Sequence, residues 1–168
     1  RHEVPPERGR HRYHAFVDPA GGSGGDSMTL GIAHAESGKA VPDMIREARP
    51  PFSPEDTVTL FAADLERYGL RKVTGDKYAG AWPAEQFKKR GIAYEPSEKT
   101  KSDIYAAFLP LLNSASVELL DDPRLTAQLL GLERRTAWGG RDSIDHRPGG
   151  RDDVINAASG ALVHAAGR

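Results

Sequence analysis

The chain has 168 residues, 38% hydrophobic and 28% charged, and its 23 basic against 24 acidic side chains leave a formal charge of −1. That length fits one domain with a core of its own, and the charge balance advertises no strongly basic face. With no cysteine, disulfide frameworks, thiolate zinc sites, iron–sulfur clusters and cysteine nucleophiles are excluded together.

Residues 1–12, with Pro5, Pro6 and Gly9 among charges, read as a flexible tail or linker ahead of a domain over 13–168. They lack the apolar stretch of a secretory signal, and no apolar run nears the roughly 20 residues that span a bilayer. A start at Arg1 rather than Met suggests a piece of a longer polypeptide. His14–Asp18 is strand-like and stops at Pro19 and a glycine-rich turn, Gly21–Gly25. Ser27–His34 alternates, Ser37-Gly38 turns, and Ala40–Arg49 supplies a third strand of an antiparallel meander.

The period then changes. Ser53-Pro54-Glu55-Asp56 starts a helix that Gly69 ends, with Val58, Phe61, Ala62, Leu65 and Tyr68 at helical spacing. Arg71–Asp76 reads as a strand, Ala81–Arg90 as a helix and Ile92–Glu95 as a strand. Thr100–Asn113 is amphipathic through Ile104, Tyr105, Phe108, Leu109 and Leu112, with Pro110 predicting a bend. Val117–Leu120 reads as an edge strand, and Asp122-Pro123 opens a helix carrying Leu125, Leu129 and Leu132. Ser143–Pro148 suits a hairpin arm, Asp152–Ala166 an alanine-rich closing helix. The whole is one α/β domain, a strand meander followed by alternating helices and strands.

Acidic residues at element ends carry the chemical interest. Asp18 closes the first strand, Asp76 closes Val73-Thr74-Gly75-Asp76, and Asp152 and Asp153 open the last helix. In open α/β sheets the functional crevice lies at the carboxyl ends of strands. Carboxylates gathered there repel unless a cation fills the gap, and oxygen ligands favour Mg²⁺ or Mn²⁺. Two such ions about 3.5–4 Å apart clamp the attacking and leaving oxygens of a phosphodiester. Each acid also has a plain structural use: a turn residue at Asp18, a salt bridge to Lys77 at Asp76, a helix N-cap at Asp152 or Asp153. Asp26 suits a turn or the edge of an ion site.

Lys77 and Lys101 are candidates to face a phosphate, and Lys88-Lys89-Arg90 and Arg134-Arg135 to contact a DNA backbone. Solvated lysines serve as well. His146, ahead of the acid pair, belongs to no metal-ligand spacing motif, and Trp82 and Trp138 suit core or edge packing.

Phe16-Val17-Asp18-Pro19-Ala20-Gly21-Gly22 with Asp26-Ser27, Thr74-Gly75-Asp76-Lys77-Tyr78, Lys99–Tyr105 and Gly149–Ala157 together resemble the C-terminal nuclease domain of phage terminase large subunits, in the ribonuclease H-like superfamily. The resemblance covers about Tyr13 to Ala166. It implies a mixed central sheet, three antiparallel strands then parallel ones, flanked by helices. It also implies a metal-dependent endonuclease that cuts concatemeric viral DNA by in-line attack of an activated water, leaving 5′-phosphate and 3′-hydroxyl ends. Asp18, Asp76 and Asp153 become the catalytic metal ligands, with Asp152 a further metal ligand.

Arg151 stands where the family often has His, and Asn156 where it often has a further acid. Of two Mg²⁺ or Mn²⁺ ions, the second is therefore expected to bind weakly. Implied partners are double-stranded DNA, an upstream ATPase domain of the same polypeptide, and the small terminase subunit and portal of the full motor. The implied setting is the cytoplasm of an infected or lysogenic bacterium, with no membrane role. Three other readings stand: a junction resolvase or transposase core sharing the acids, a catalytically inactive docking domain, and a sugar-kinase or actin-like phosphate loop at Asp18–Gly25. The last would need a second lobe.

Overall fold

A computed structural model describes residues 1–136 and 138–167. Alternation of apolar side chains lays down β1 (Tyr13–Asp18), β2 (Met28–Glu36) and β3 (Lys39–Ala48) as an antiparallel meander. Ser37 and Gly38 join β2 to β3 with φ of 50° and 80°, the paired positive values that a tight hairpin turn requires. After α1 (Pro54–Arg67), β4 (Lys72–Gly75) returns parallel to β1. Then α2 (Ala81–Lys89) crosses to β5 (Ala93–Pro96), parallel to β4. The strand order β3-β2-β1-β4-β5 puts β1 at the centre.

Because side chains alternate along β1, the strand serves two cores. Ala15 and Val17 pack with Val58, Phe61 and Leu65 of α1 and Phe87 of α2. Phe16 faces the other layer, built from α3 (Lys101–Asn113), α4 (Pro123–Leu130) and α5 (Asp153–Ala165). The closing helix is not a surface helix. It lies across β1, β2 and β3, and His164 alone among its residues is not buried. Glycines permit this approach: a Cβ on Gly31 would stand 2.6 Å from the Ala157 carbonyl oxygen, and one on Gly160 would enter the Phe16 ring.

Several expectations need correction. The helix from Asp122 ends at Leu130, and Leu132 opens β6 (Leu132–Thr136), paired with β7 (Asp142–His146) in a separate hairpin. Val117 makes one parallel bridge to Ala40 rather than an edge strand. Leu109 is exposed, and Leu111 takes the buried place on α3. Trp138, at the turn of the β6–β7 hairpin, is fully exposed and packs no core. Pro110 sits inside α3, where its carbonyl still accepts from Ser114 N at 3.0 Å.

Residues 1–12 contain no helix or strand, yet they lie along the domain. Val4 N donates to Asp43 O at 3.1 Å, Tyr68 Oη donates to Val4 O at 2.7 Å, and Glu3 pairs with Arg46 at 2.7 Å. No described helix is long and apolar enough to cross a membrane.

Candidate metal centre

Parallel pairing of β1 with β4 sets Val17 opposite Gly75, so the next residues, Asp18 and Asp76, leave the sheet side by side. Gly75 is needed there, since a Cβ would strike the Tyr94 ring; Tyr94 Oη donates to the Asp76 carbonyl at 2.9 Å and fixes the strand end. Asp76 Oδ1 accepts from Tyr78 N at 3.1 Å.

The N-terminus of α5 points at the same place. Neither Asp152 nor Asp153 caps that helix with its side chain. Gln128 of α4 does so instead, its Oε1 accepting from Val154 N at 2.8 Å and Ile155 N at 3.1 Å. Relieved of capping, both buried acids reach elsewhere. Asp153 Oδ2 accepts from Ser27 N at 2.6 Å, and its carbonyl accepts from Thr29 Oγ1 at 2.6 Å, tying α5 to the start of β2. Asp152 Oδ2 accepts from Tyr105 Oη at 2.9 Å and from Lys101 Nζ at 2.9 Å. Asn156, one turn into α5, donates from Nδ2 to Asp18 Oδ2 at 2.9 Å, while its Oδ1 is buried without a partner.

Electrostatics follow from this crowding. Loss of solvent pushes the Asp18 carboxyl up to about 8; the Asn156 hydrogen bond works against the rise, and Asp152, Asp153 and Asp76 add to it. Partial burial disfavours the Lys101 charge, but the hydrogen bond and charge of Asp152, with Asp145 behind, hold its pKa above the ordinary value. Burial, then the Asp152 charge, drives the Tyr105 hydroxyl upward as well.

Asp18, Asp76, Asp152, Asp153 and Lys101 thus converge. Among the described residues, the ligand groups whose donor atoms all lie within 4.8 Å are Asp145–His146–Asp152 at this centre and His11–His34–Glu36 elsewhere. Asp18, Asp76 and Asp153 form no such group, although the charges of Asp153 and Asp76 both act on Asp18. Lys77 is exposed beyond Asp76, its Nζ 6.0 Å from the Tyr78 ring centroid. Lys88 and Lys89, exposed at the end of α2, precede β5 and so lie at the opposite end of the parallel strands from the acids. Asp26 is exposed and pairs with Arg151 at 3.4 Å.

Sequence reasoning missed Gln128, whose signal is absent locally because it caps a helix 26 positions away. It also placed Tyr105 only in the core. The buried hydroxyl of Tyr105 needed a partner, and that need is a usable signal.

A mixed sheet in this order, with helices on both faces, is the ribonuclease H-like fold of phage large-terminase nuclease domains. The large terminase nuclease of thermophilic phage G20c superposes with a TM-score of 0.79 at 21% identity, over 95% of this chain and 85% of that one. The same nuclease crystallised with bound magnesium gives 0.77 at 20% identity over the same shares, and it has also been solved with cobalt and with zinc. The bacteriophage HK97 large terminase gives 0.73 at 14% identity; 97% of this chain matches 41% of that protein's length. No protein-family model and no curated protein sequence matches the chain.

Proposed function

We propose that this chain is a metal-dependent endodeoxyribonuclease, the nuclease part of a phage large terminase, which cuts concatemeric viral DNA during genome packaging. The observation that carries this reading is the convergence of Asp18, Asp76, Asp152 and Asp153 on one end of the sheet. Their chemistry fits divalent ions. A carboxyl raised to about 8 among three neighbouring carboxylates, beside a buried Asn156 Oδ1 that lacks a donor, is what a cation would relieve.

Bound Mg²⁺ or Mn²⁺ would supply Lewis acidity and a water that ionises near neutral pH. Asp18, Asp76 and Asp153 are the proposed ligands, with Asp152 beside them. Asn156 orients Asp18, and the Ser27 N–H orients Asp153. Lys101 and Tyr105 hold Asp152, and Lys101 is also a proposed phosphate contact. Attack by water on phosphorus breaks the bond to the 3′ oxygen, leaving 5′-phosphate and 3′-hydroxyl ends. Two ions are proposed, the second held weakly because Asn156 offers a neutral oxygen.

Lys77, Lys88 and Lys89 remain proposed DNA contacts, with Lys88 and Lys89 serving a duplex path away from the acids. Double-stranded DNA, an ATPase domain upstream on the same polypeptide, the small terminase subunit and the portal are the proposed partners. The bacterial cytoplasm is the proposed setting. The 41% share of the HK97 large terminase leaves room for such a motor.

Cleavage of supercoiled plasmid with Mn²⁺, Mg²⁺, Ca²⁺ or EDTA, in wild type and Asp76→Ala, tests the reading. Cutting with Mn²⁺ that EDTA and the substitution abolish is expected. A folded wild type that never cuts would favour an inactive docking domain, and preference for branched over linear DNA would favour a resolvase.

A further inference from the structure

A second ligand cluster lies far from the acids. β1 and β2 pair Asp18 with Thr29 at one end of their ladder and Tyr13 with His34 at the other, five residues or about 17 Å away. His34 is buried, and its Nδ1 lies 2.7 Å from Oδ2 of Asp43, itself buried on β3. The other ring nitrogen, Nε2, is buried with no hydrogen-bond partner. It faces Glu36, with Oε2 at 3.9 Å, beyond hydrogen-bond reach. His11, from the segment before β1, brings its Nε2 to 3.9 Å from Glu36 Oε1, and its ring centroid stands 4.0 Å from that of His34.

We infer that His11, His34 and Glu36 form a second metal site, selective for Zn²⁺ over Mg²⁺, that fastens the segment preceding β1 to the β2–β3 hairpin. The three donor atoms all lie within 4.8 Å of one another. Tetrahedral zinc with bonds near 2.0–2.1 Å needs donors about 3.3 Å apart. Side-chain rotations that draw the donors together while parting the two imidazole rings from 4.0 Å to about 5 Å complete three ligands. The fourth position falls to water, since Glu36 is the exposed edge of the cluster.

Two imidazoles with one carboxylate suit zinc and do not suit the hard ion Mg²⁺. Asp43 occupies the place a carboxylate takes behind a metal-bound histidine: it engages Nδ1 and so directs the Nε2 lone pair toward the ion. An uncoordinated Nε2 leaves a buried polar atom unsatisfied, a cost the ion removes. Arg10 approaches Glu36 at 3.8 Å but is engaged by Glu7 at 2.6 Å, so Glu36 is not committed to it.

The test is zinc competition against a chromophoric chelator in Asp18→Asn/Asp76→Asn protein, which removes two ligands of the centre proposed for the nuclease; zinc held by Asp145–His146–Asp152 is told apart by its indifference to His11→Gln. One equivalent of Zn²⁺ is expected to bind at His11, His34 and Glu36, undisturbed by excess Mg²⁺. His11→Gln, in a segment without regular structure, should weaken binding by more than about 100-fold, and Asp43→Asn by about 10–100-fold. Circular dichroism checks that each variant is folded. Tryptic cleavage at Arg10 and Arg12 should slow with zinc, except in His11→Gln.

No bound zinc in the Asp18→Asn/Asp76→Asn protein, or an affinity unmoved by both His11→Gln and Glu36→Gln, overturns the site. Zinc binding without slower cleavage at Arg10 and Arg12 overturns the fastening. Failure of plasmid cleavage in wild type leaves this inference untouched, because the two sites share no residue.

Discussion

Asp18→Asn should stabilise the metal-free domain, and the gain should grow with pH. Asp18 ionises near 8 when folded and near 3.8 when not, chiefly because it has lost solvent. The folded state therefore keeps a proton that the unfolded chain gives up, and this contribution to stability is complete only below about pH 4. It declines as pH rises and is gone once pH passes through about 8. At about 1.4 kcal/mol per pH unit, the separation between 3.8 and about 8 bounds the loss near 6 kcal/mol. That figure is an upper limit, since water entry and rearrangement of neighbouring carboxylates ease the charged state.

Asparagine at 18 can still accept from Asn156 Nδ2, so the substitution removes charge without breaking the one hydrogen bond made to it. Urea unfolding in EDTA at pH 5, 7 and 9 measures the difference. The variant's lead over wild type should widen from pH 5 to pH 9, staying below about 6 kcal/mol, and close toward pH 4. Saturating Mn²⁺ should reverse the order at pH 8, since the ion displaces the proton from the wild-type carboxyl only. A gap that stays constant from pH 5 to pH 9 would refute the account of Asp18.

Gln128→Leu leaves the Val154 and Ile155 N–H groups without an acceptor and should cost about 1–3 kcal/mol, read by thermal unfolding, with weaker Mn²⁺ binding as α5 frays. Lys101→Met strips Asp152 of its cation and should destabilise the EDTA-treated protein by about 1–2 kcal/mol, a deficit that Mn²⁺ should narrow in the same melts. Gly31→Ala drives a methyl into the Ala157 carbonyl and should cost about 1–3 kcal/mol in urea unfolding, while Gly38→Ala, strained at a surface turn, leaves the metal centre unaltered. With a formal charge of −1, the isolated domain should release duplex DNA by physiological salt in a filter-binding titration; retention in high salt would contradict this.

What sequence could reveal depended on whether the deciding interaction was local. The β1–β2–β3 meander was legible because alternation and the Ser37-Gly38 turn act within a few residues. The first helix was legible because Ser53 caps it, its hydroxyl accepting from Asp56 N. Asp18 and Asp76 were legible as strand-end acids, though only β1–β4 pairing puts them side by side. β6 was hidden because Leu132 lies in helical phase with Leu125 and Leu129, and periodicity carried the helix past Gly131.

The capping of α5 reverses the rule that an acid at a helix start is its cap, and nothing near residue 152 announces that Gln128 has taken the task. Lys88 and Lys89 looked like natural DNA contacts in sequence, yet a parallel crossover sends the end of its helix away from the strand tips. Residues 1–12 have the composition of a tail, but an ion pair and a backbone bond to β3 and a side-chain bond to the end of α1 leave no periodic trace.

The contact of α5 with the sheet has a temporal side. Synthesis delivers Asp18 first, Asp76 next and the Asp152–Asp153 pair only with the final helix of the domain. Until that helix emerges, Phe16 and Ile45 lack the element of the facing layer that packs directly on β1–β3, and a sheet so uncovered is a poor scaffold for holding charges together. Val154, Ile155, Ala158 and Leu162 complete that layer in the same event that delivers the two acids. A ribosome-bound intermediate therefore possesses neither the second core nor the full set of carboxylates, and ion-binding competence arrives together with structural completion.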